Sequence, residues 1–332
     1  MEAEGVELLA GLNDLAVMGF VEVVGRLGFF RRLEGRVRGL LQDAGIDLLI
    51  CIDYPGFNLR ATEAAHRAGV PVLFYIAPQV WAWKAHRARQ LARTADRIAV
   101  ILPFEEEIFT REGGDATFVG HPLLDREEGT PDRAAFFEST GLDPAQPLLA
   151  LFPGSRRQEV ERHLVPFAEA ARRLQNEFPG LQVATAQADG IRLPSNGPPG
   201  VVVRGGQALL KHADAALVKS GTTTLEAALA GIPFVVAYRT HPVTWWLARR
   251  LVQVEHVALP NLVAAERVVP EFLQGEVRSD TLAGALAPLL QDSPERATLL
   301  DGLARVRERL GEPGAAARVA AMAVRILEER DR

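Results

Sequence analysis

The stretch that decides the fold is Leu217–Arg239, LVKSGTTTLEAALAGIPFVVAYR. It continues an apolar run, Ala215–Val218, that predicts a buried strand. A small, hydroxyl-rich turn follows, Ser220-Gly221-Thr222-Thr223-Thr224. Leu225, Ala228 and Leu229 then recur at the spacing of one buried helical face. Gly231 with Pro233 two residues on stops that helix, and Phe234–Tyr238 is a second apolar strand. A strand, a small turn and a helix start together make an anion site. The turn glycine admits a ligand close to the backbone, and the first helical N–H groups favour phosphate. Glu226 offers a carboxylate to a ribose diol. The same residues also have a structural reading, because Thr223 and Glu226 stand at capping-box spacing. The remaining segments decide between the two.

Bulk properties narrow the classes. A length of 332 residues predicts two domains, and 48% hydrophobic with 24% charged residues is the composition of a globular protein. A net charge of −5 excludes a global attraction to nucleic acid. The single cysteine, Cys51, excludes an intrachain disulfide and points to a reducing compartment. It lies within LLICID and reads as a buried strand residue. No apolar run approaches the ~20 residues of a membrane span. The start, MEAEGVELL, lacks secretory architecture. A cytoplasmic chain is expected, with peripheral membrane contact left open.

Taken in order, Val17–Leu41 predicts a helix with Phe20, Val23, Val24, Leu27, Phe30 and Leu33 on one face and arginines beside them. It is either an amphipathic core helix or a patch for membrane and acyl chains. Asp47–Asp53, Pro71–Ile76, Asp96–Leu102 and Thr117–Gly120 read as strands alternating with helices, so a parallel sheet covered on both faces is expected. Ligands bind at the carboxyl ends of such strands. Asp53 ends one of them and is either a loop brace or a general base. Trp81 and Trp83 share one strand-to-helix loop, as packing or as a wall against a sugar or acyl chain. His121 ends another strand, as a structural residue or a substrate contact. A polar stretch, 124–146, predicts the linker. Strand Pro147–Phe152 then runs into Pro153-Gly154-Ser155-Arg156-Arg157 and a long helix, a second anion site. Arg156 is either a surface charge or the group that neutralises a departing diphosphate. Ser155 and Gln158 also have capping-box spacing. Further on, His256–Asn261 predicts a short strand, and from about Asp280 the chain is helical.

The segments LAVMGFVEV, ICIDYPGFN, APQVWAWK, LPFE, FVGHPLLD, LFPGSRRQEVER, SGTTTLEAALAGIPFVVAYR and VALPNLVA, in this order, resemble the lipid-A-disaccharide synthase family. The resemblance implies an α/β protein of GT-B type, with two Rossmann-like domains whose parallel sheets are flanked by helices. Residues 1–140 would face acceptor and membrane, 141–310 would bind the donor, and 311–332 would pack on the first domain or on a partner subunit. The implied reaction is an inverting transfer needing no metal or other cofactor. It passes 2,3-diacylglucosamine from UDP-2,3-diacylglucosamine to 2,3-diacylglucosamine 1-phosphate at the cytoplasmic face of a Gram-negative inner membrane, where the protein would be peripheral and possible as a homodimer.

Carried onto this chain, Asp53 becomes the base and Arg156 the stabiliser of the leaving group. Gly154, Ser155, Ser220, Gly221, Thr222, Thr223, Thr224, Glu226 and Asn261 join Arg156 around the UDP donor. Phe20, Leu27, Phe30, Trp81, Trp83 and His121 fall on the acceptor, acyl or membrane side. The chain departs from the pattern at Gly56, where the family usually has aspartate, and in the helix-free coil at 187–200. It also opens one βα unit and a strand late, about 30–45 residues, so an upstream start is expected. The rival readings are another UDP-sugar transferase, a UDP-sugar epimerase, or a UDP-binding module without turnover.

Overall fold

Two parallel sheets organise the chain in the computed structural model, which describes residues 5–11, 27–43, 45–82, 85–126, 129–194, 199–251 and 254–330. The first sheet is built from β1 (Leu49–Ile52), β2 (Val72–Tyr75), β3 (Arg97–Val100) and β4 (Ala116–Phe118), paired in that order. Helix α1 (Leu27–Asp43) precedes it, and α2 (Pro55–Ala68), α3 (His86–Thr94) and α4 (Glu105–Arg111) connect its strands. Strand alternation divides the sheet's two faces. Cys51, Phe74, Ile98 and Val100 pack with Leu59, Leu91 and Phe109 on one face. Leu73, Tyr75 and Ala99 point to the other. Burial holds the Cys51 thiol up at about 12, which fits an inert core residue.

What covers that second face comes from the far end of the sequence. Helix α13 (Ala315–Arg330) lays Val319 and Ile326 against Leu73, Tyr75, Ala99 and Val119. Arg318 Nε donates to the Val119 carbonyl at 2.8 Å, and Arg97 pairs with Glu329 at 3.0 Å. Asp125 caps this helix, accepting from the Gly314 N–H and, at 3.1 Å, from the Ala316 N–H. Asp125→Ala is expected to cost about 1 kcal/mol, the usual worth of such a cap, read as a shift in the urea midpoint.

The second sheet has the order β10-β9-β8-β5-β6-β7, all parallel. Its strands are β5 (Leu148–Phe152), β6 (Gln182–Gln187), β7 (Val201–Arg204), β8 (Ala215–Lys219), β9 (Phe234–Tyr238) and β10 (Glu271–Leu273). Numbered within the domain this is 3-2-1-4-5-6, the doubly wound order, whose switch point lies between β5 and β8. The main helices are α5 (Arg133–Thr140), α6 (Arg157–Glu177), α7 (Gly206–His212), α8 (Thr223–Leu229), α9 (Pro242–Leu251), α10 (Leu259–Ala264), α11 (Ser279–Leu286) and α12 (Pro294–Arg309). Phe136 and Phe137 of α5 pack in this sheet's core, so α5 sits with the second sheet although it precedes residue 141.

One local reading is corrected, and one strand was not foreseen. Residues 259–264 form helix α10, not a strand, because Pro260 in the first helical turn lacks only an N–H that would have no helical partner. The short edge strand β10 carries too few residues for an alternation signal.

Candidate active site

The carboxyl ends of β5 and β8 face the switch crevice, and each runs straight into a glycine turn. Gly154 has φ 129° and Gly221 has φ 153°, both in the range that side chains avoid. A side chain at Gly154 would also meet the Glu159 Cβ at 2.5 Å. Gly154, Ser155, Glu159, Lys219, Gly221 and Thr222 line a cavity of about 300 Å³ here, extended by Gln187, Gly205 and Gly206. Thr223 and Glu226 also border it. Thr224 lies beneath, fully buried, with its hydroxyl donating to the Gly221 carbonyl at 2.7 Å. Ser220 is buried, and its hydroxyl donates to the Val257 carbonyl at 3.0 Å.

Neither capping box forms. No side chain caps α8, and Glu226 instead crosses between the domains to Arg126, Oε1 to Nη1 2.9 Å. No side chain caps α6 either. Glu159 takes the place expected for Gln158, accepting from the Ser155 N–H at 3.1 Å. Its other oxygen meets Lys219 Nζ at 2.8 Å and Arg156 at 3.6 Å. Burial works to raise the Glu159 carboxyl, but the Lys219 hydrogen bond and charge, with Ser155 and Arg156, outweigh it and hold the group below its ordinary value.

One helical turn on, His163 ties α6 to the end of β9. Nδ1 donates to the Glu159 carbonyl at 2.7 Å and Nε2 accepts from the Arg239 N–H at 2.8 Å. Both bonds suit a neutral ring, and burial lowers its pKa to about 4 from an ordinary 6.5. The unfolded chain therefore takes up a proton that the folded one refuses. This contribution is complete above pH 6.5 and is lost as the pH falls through about 4. His163→Gln is expected to flatten the acid limb of stability by up to about 3 kcal/mol, measured as urea midpoints between pH 7 and 4.

A second and larger cleft, about 590 Å³, lies between the domains. Asp53, Ile76, Val80, Arg87, Glu105 and His121 line it from the first domain, and Thr222, Leu225 and Leu259 from the second. Thr222 borders both cavities, so they meet at that residue. The cleft's first-domain wall is strained. Asp53, Tyr54 and Ile76 have φ of 49°, 46° and 61°. For a β-branched residue such as Ile76 this is an outlier. Asn58 holds the first bend, Nδ2 donating to the Asp53 carbonyl at 2.7 Å and to that of Ile52 at 3.2 Å. Asp53 is exposed to the cleft.

His121 is buried. Its Nδ1 accepts from the Leu123 N–H at 3.2 Å, and desolvation, with Arg126 nearby, lowers its pKa to about 4. Glu105 is buried too, taking bonds from Trp81 Nε1 at 3.0 Å and from the Leu102 and Ile101 N–H groups at 3.0 and 3.3 Å. Desolvation raises it to about 7 against those donors.

The structure therefore gathers the glycine turns and Glu226 around one cavity, with Arg156 reaching its wall only through Glu159 at 3.6 Å, and sets Asp53 and His121 on the other. Two expected contacts lie elsewhere. Asn261 is fully buried, with Nδ2 donating to the Val269 carbonyl at 2.9 Å and Glu271 at 2.5 Å. Its Oδ1 accepts from the Val268 and Val269 N–H groups at 2.9 and 2.8 Å. An amide with all four positions used in this way braces a loop and has none left for a ligand. Trp81 turns inward to Glu105 and packs edge-on against Phe104 at 5.5 Å, so it supports the cleft wall from behind. Phe30 stacks on Tyr54 at 6.5 Å and touches Phe29 edge-on at 5.5 Å, an aromatic group beside Asp53. Leu27 opens α1, but its side chain, like Phe20 and Trp83, lies outside the described residues.

Lys219, Glu159, Glu105 and Arg126 were missed as site residues. Lys219 alone had a local signal, at the strand end just before Ser220. Among the described residues, no group of three or more His, Cys, Asp or Glu side chains is placed to hold a metal ion, and no helix is long and apolar enough to cross a membrane.

Known proteins share this architecture. A putative UDP-N-acetylglucosamine 2-epimerase from Listeria monocytogenes superposes with a TM-score of 0.64 at 14% identity, over 98% of this chain and 83% of its own. The spinosyn forosaminyltransferase SpnP does so with a TM-score of 0.54 at 14% identity, over 88% and 79%. At such identities the likeness concerns the fold, which is that of GT-B glycosyltransferases and related epimerases. Sequence goes further. The family model described as Lipid-A-disaccharide synthetase matches residues 1–323. The lipid-A-disaccharide synthase of Geobacter metallireducens is 39% identical over 338 residues, covering 99% of this chain and 88% of its own. That of Trichlorobacter lovleyi is 41% identical over 337 residues, with the same coverage. With this match along its length and two parallel sheets, the second doubly wound with glycine turns at its switch point, the chain belongs to the lipid-A-disaccharide synthase family of glycosyltransferases.

Proposed function

We propose that the protein transfers 2,3-diacylglucosamine from UDP-2,3-diacylglucosamine to the 6-hydroxyl of 2,3-diacylglucosamine 1-phosphate, giving the β-1′,6-linked disaccharide 1-phosphate and UDP. The observation that carries this reading is the meeting of the two cavities at Thr222, with a cation-bearing glycine cradle on one side and an exposed carboxylate on the other. UDP lies in the cradle, its diphosphate on the 154–156 and 220–223 turns and its ribose at Glu226, which leaves Arg126 to take it. The acceptor lies in the cleft. Asp53 removes the proton of the acceptor hydroxyl as that oxygen attacks the anomeric carbon. The bond from that carbon to the diphosphate breaks, and its electron pair leaves on the β-phosphate, where Arg156 meets the charge. Because cationic side chains supply this neutralisation, turnover is expected to proceed without an added metal and to survive a chelator. His121 and the Phe29–Phe30–Tyr54 rings flank the acceptor, and the rings continue toward its acyl chains and a membrane surface.

The test is incubation of labelled donor with acceptor, followed by mass analysis of the lipid product. Label in a lipid disaccharide is the expected result. Label in free sugar, or in an epimerised nucleotide sugar, contradicts the reading. Co-sedimentation with anionic phospholipid vesicles, weakened by Phe30→Ser, is expected for the membrane side. Equal recovery of both proteins would remove Phe30 from it.

A further inference from the structure

Three cationic or N–H donors converge on a single carboxylate in the donor cradle. Lys219 Nζ lies 2.8 Å from Glu159 Oε1, the Ser155 N–H donates to Oε2 at 3.1 Å, and Arg156 Nη1 stands 3.6 Å away. Lys219 and Glu159 are each 14% exposed, so both have given up most of their water. Their pairing is the main offset to that cost, ahead of the Ser155 N–H and Arg156, and an ion pair this dry is weak evidence for a stabilising role. The pair also sits in a particular place. It lies between the two glycine turns and borders the cavity that they enclose. A Cβ built at Gly221 would come within 3.6 Å of Lys219 Nζ. The ammonium also lies 5.6 Å from the Tyr238 ring, which steadies it at the cavity wall. The donors gathered on Glu159 are those that a phosphate selects, namely an ammonium, a guanidinium and a turn N–H.

We propose that Glu159 is a displaceable stand-in for the donor's diphosphate. It holds Lys219 while the cavity is empty and yields it when a nucleoside diphosphate enters. Lys219 is then a phosphate ligand, and Glu159 is a built-in competitor that weakens product binding and speeds release of UDP. The inference rests on reading this cavity as the donor site. Its physical basis is that two anions cannot both be neutralised by one buried ammonium. The carboxylate that gives way regains water and keeps the Ser155 N–H, while the diphosphate takes the charge.

Calorimetric binding of UDP and of uridine to four full-length proteins tests it: wild type, Glu159→Gln, Lys219→Met and the double variant. The neutral double variant guards against misfolding caused by a lone buried charge. Removing the competitor in Glu159→Gln is expected to tighten UDP several-fold. Adding Lys219→Met to that background is expected to weaken UDP about 10-fold or more, the worth of a charged hydrogen bond. Uridine, which has no phosphate, should bind all four alike. If Glu159 merely shapes the turn, Glu159→Gln weakens UDP instead, and that result overturns the proposal. Unchanged UDP affinity on loss of Lys219 in the Gln background overturns it as well. Failure of the donor-site reading would look different, because wild-type protein would then bind neither UDP nor uridine.

Discussion

Asp53→Ala is expected to lower kcat by about 10²–10⁴-fold, the usual contribution of a positioned base, while UDP affinity changes by less than about twofold. Asp53 lines the interdomain cleft and is not among the residues around the glycine-turn cavity, so the proposed reading requires chemistry to be lost here without loss of binding. The backbone there shows that its placement is enforced. Asp53 and Tyr54 both hold left-handed conformations, each worth of order 1–3 kcal/mol of strain. Two carbonyl bonds from Asn58 and the bond from the Asp53 N–H to the Tyr75 carbonyl at 2.9 Å fix the bend. Asp53→Asn should lose as much activity as Asp53→Ala, because the amide preserves shape without basicity. Steady-state kinetics with UDP calorimetry gives both readouts. Either variant retaining more than about a tenth of wild-type kcat would remove Asp53 from the base role.

Asn261→Ala is expected to cost about 3–5 kcal/mol of stability, since it strands the Val268 and Val269 N–H groups and the Val269 carbonyl in the interior. Val269 is fully buried, so water does not replace the lost partner. The amide also holds Glu271, whose carboxylate accepts from the Val257 and Ala258 N–H groups at 2.9 and 3.0 Å. Those residues carry the carbonyl to which Ser220 donates. Asn261 thus supports the turn at 220–224 from two layers behind it. Urea unfolding should show the loss, and the protein that remains folded at low temperature should keep its UDP affinity. A stable variant with lost UDP affinity would return Asn261 to the donor's side.

Most of the second domain was legible because its signals are local. Uniformly apolar strands must be covered on both faces, and the glycines of PGSR and SGTTT mark places where the backbone bends as only glycine does cheaply. Residues 234–238 are a strand from end to end as expected. What escaped depends on partners distant in sequence. Capping-box spacing suggested that Glu226 serves its own helix, yet Arg126, 100 residues away, takes it across the cleft. Glu159 reads as a first-turn acid until Lys219, 60 residues on, is placed beside it. Asn261 resembles a loop residue facing a ligand, and only its burial shows otherwise. Trp81 carries no sequence mark of the Glu105 carboxylate that turns it inward. The Ala-rich run at the chain's end shows only a helix by itself; its place on the first sheet, rather than on a partner, is fixed by Val319 and Ile326 against Leu73, Tyr75 and Ala99. Such pairings are set by topology, and spacing along the chain does not encode them.

The central claim is that one site, spanning the two cavities that meet at Thr222, performs a single in-line displacement by the acceptor hydroxyl. The most direct measurement follows both products of one reaction: UDP released per disaccharide formed, and the anomeric configuration of the new linkage by proton NMR. One UDP per disaccharide with a β linkage from the α-configured donor is the predicted result. A retained α linkage, or UDP released in excess of disaccharide, would contradict it.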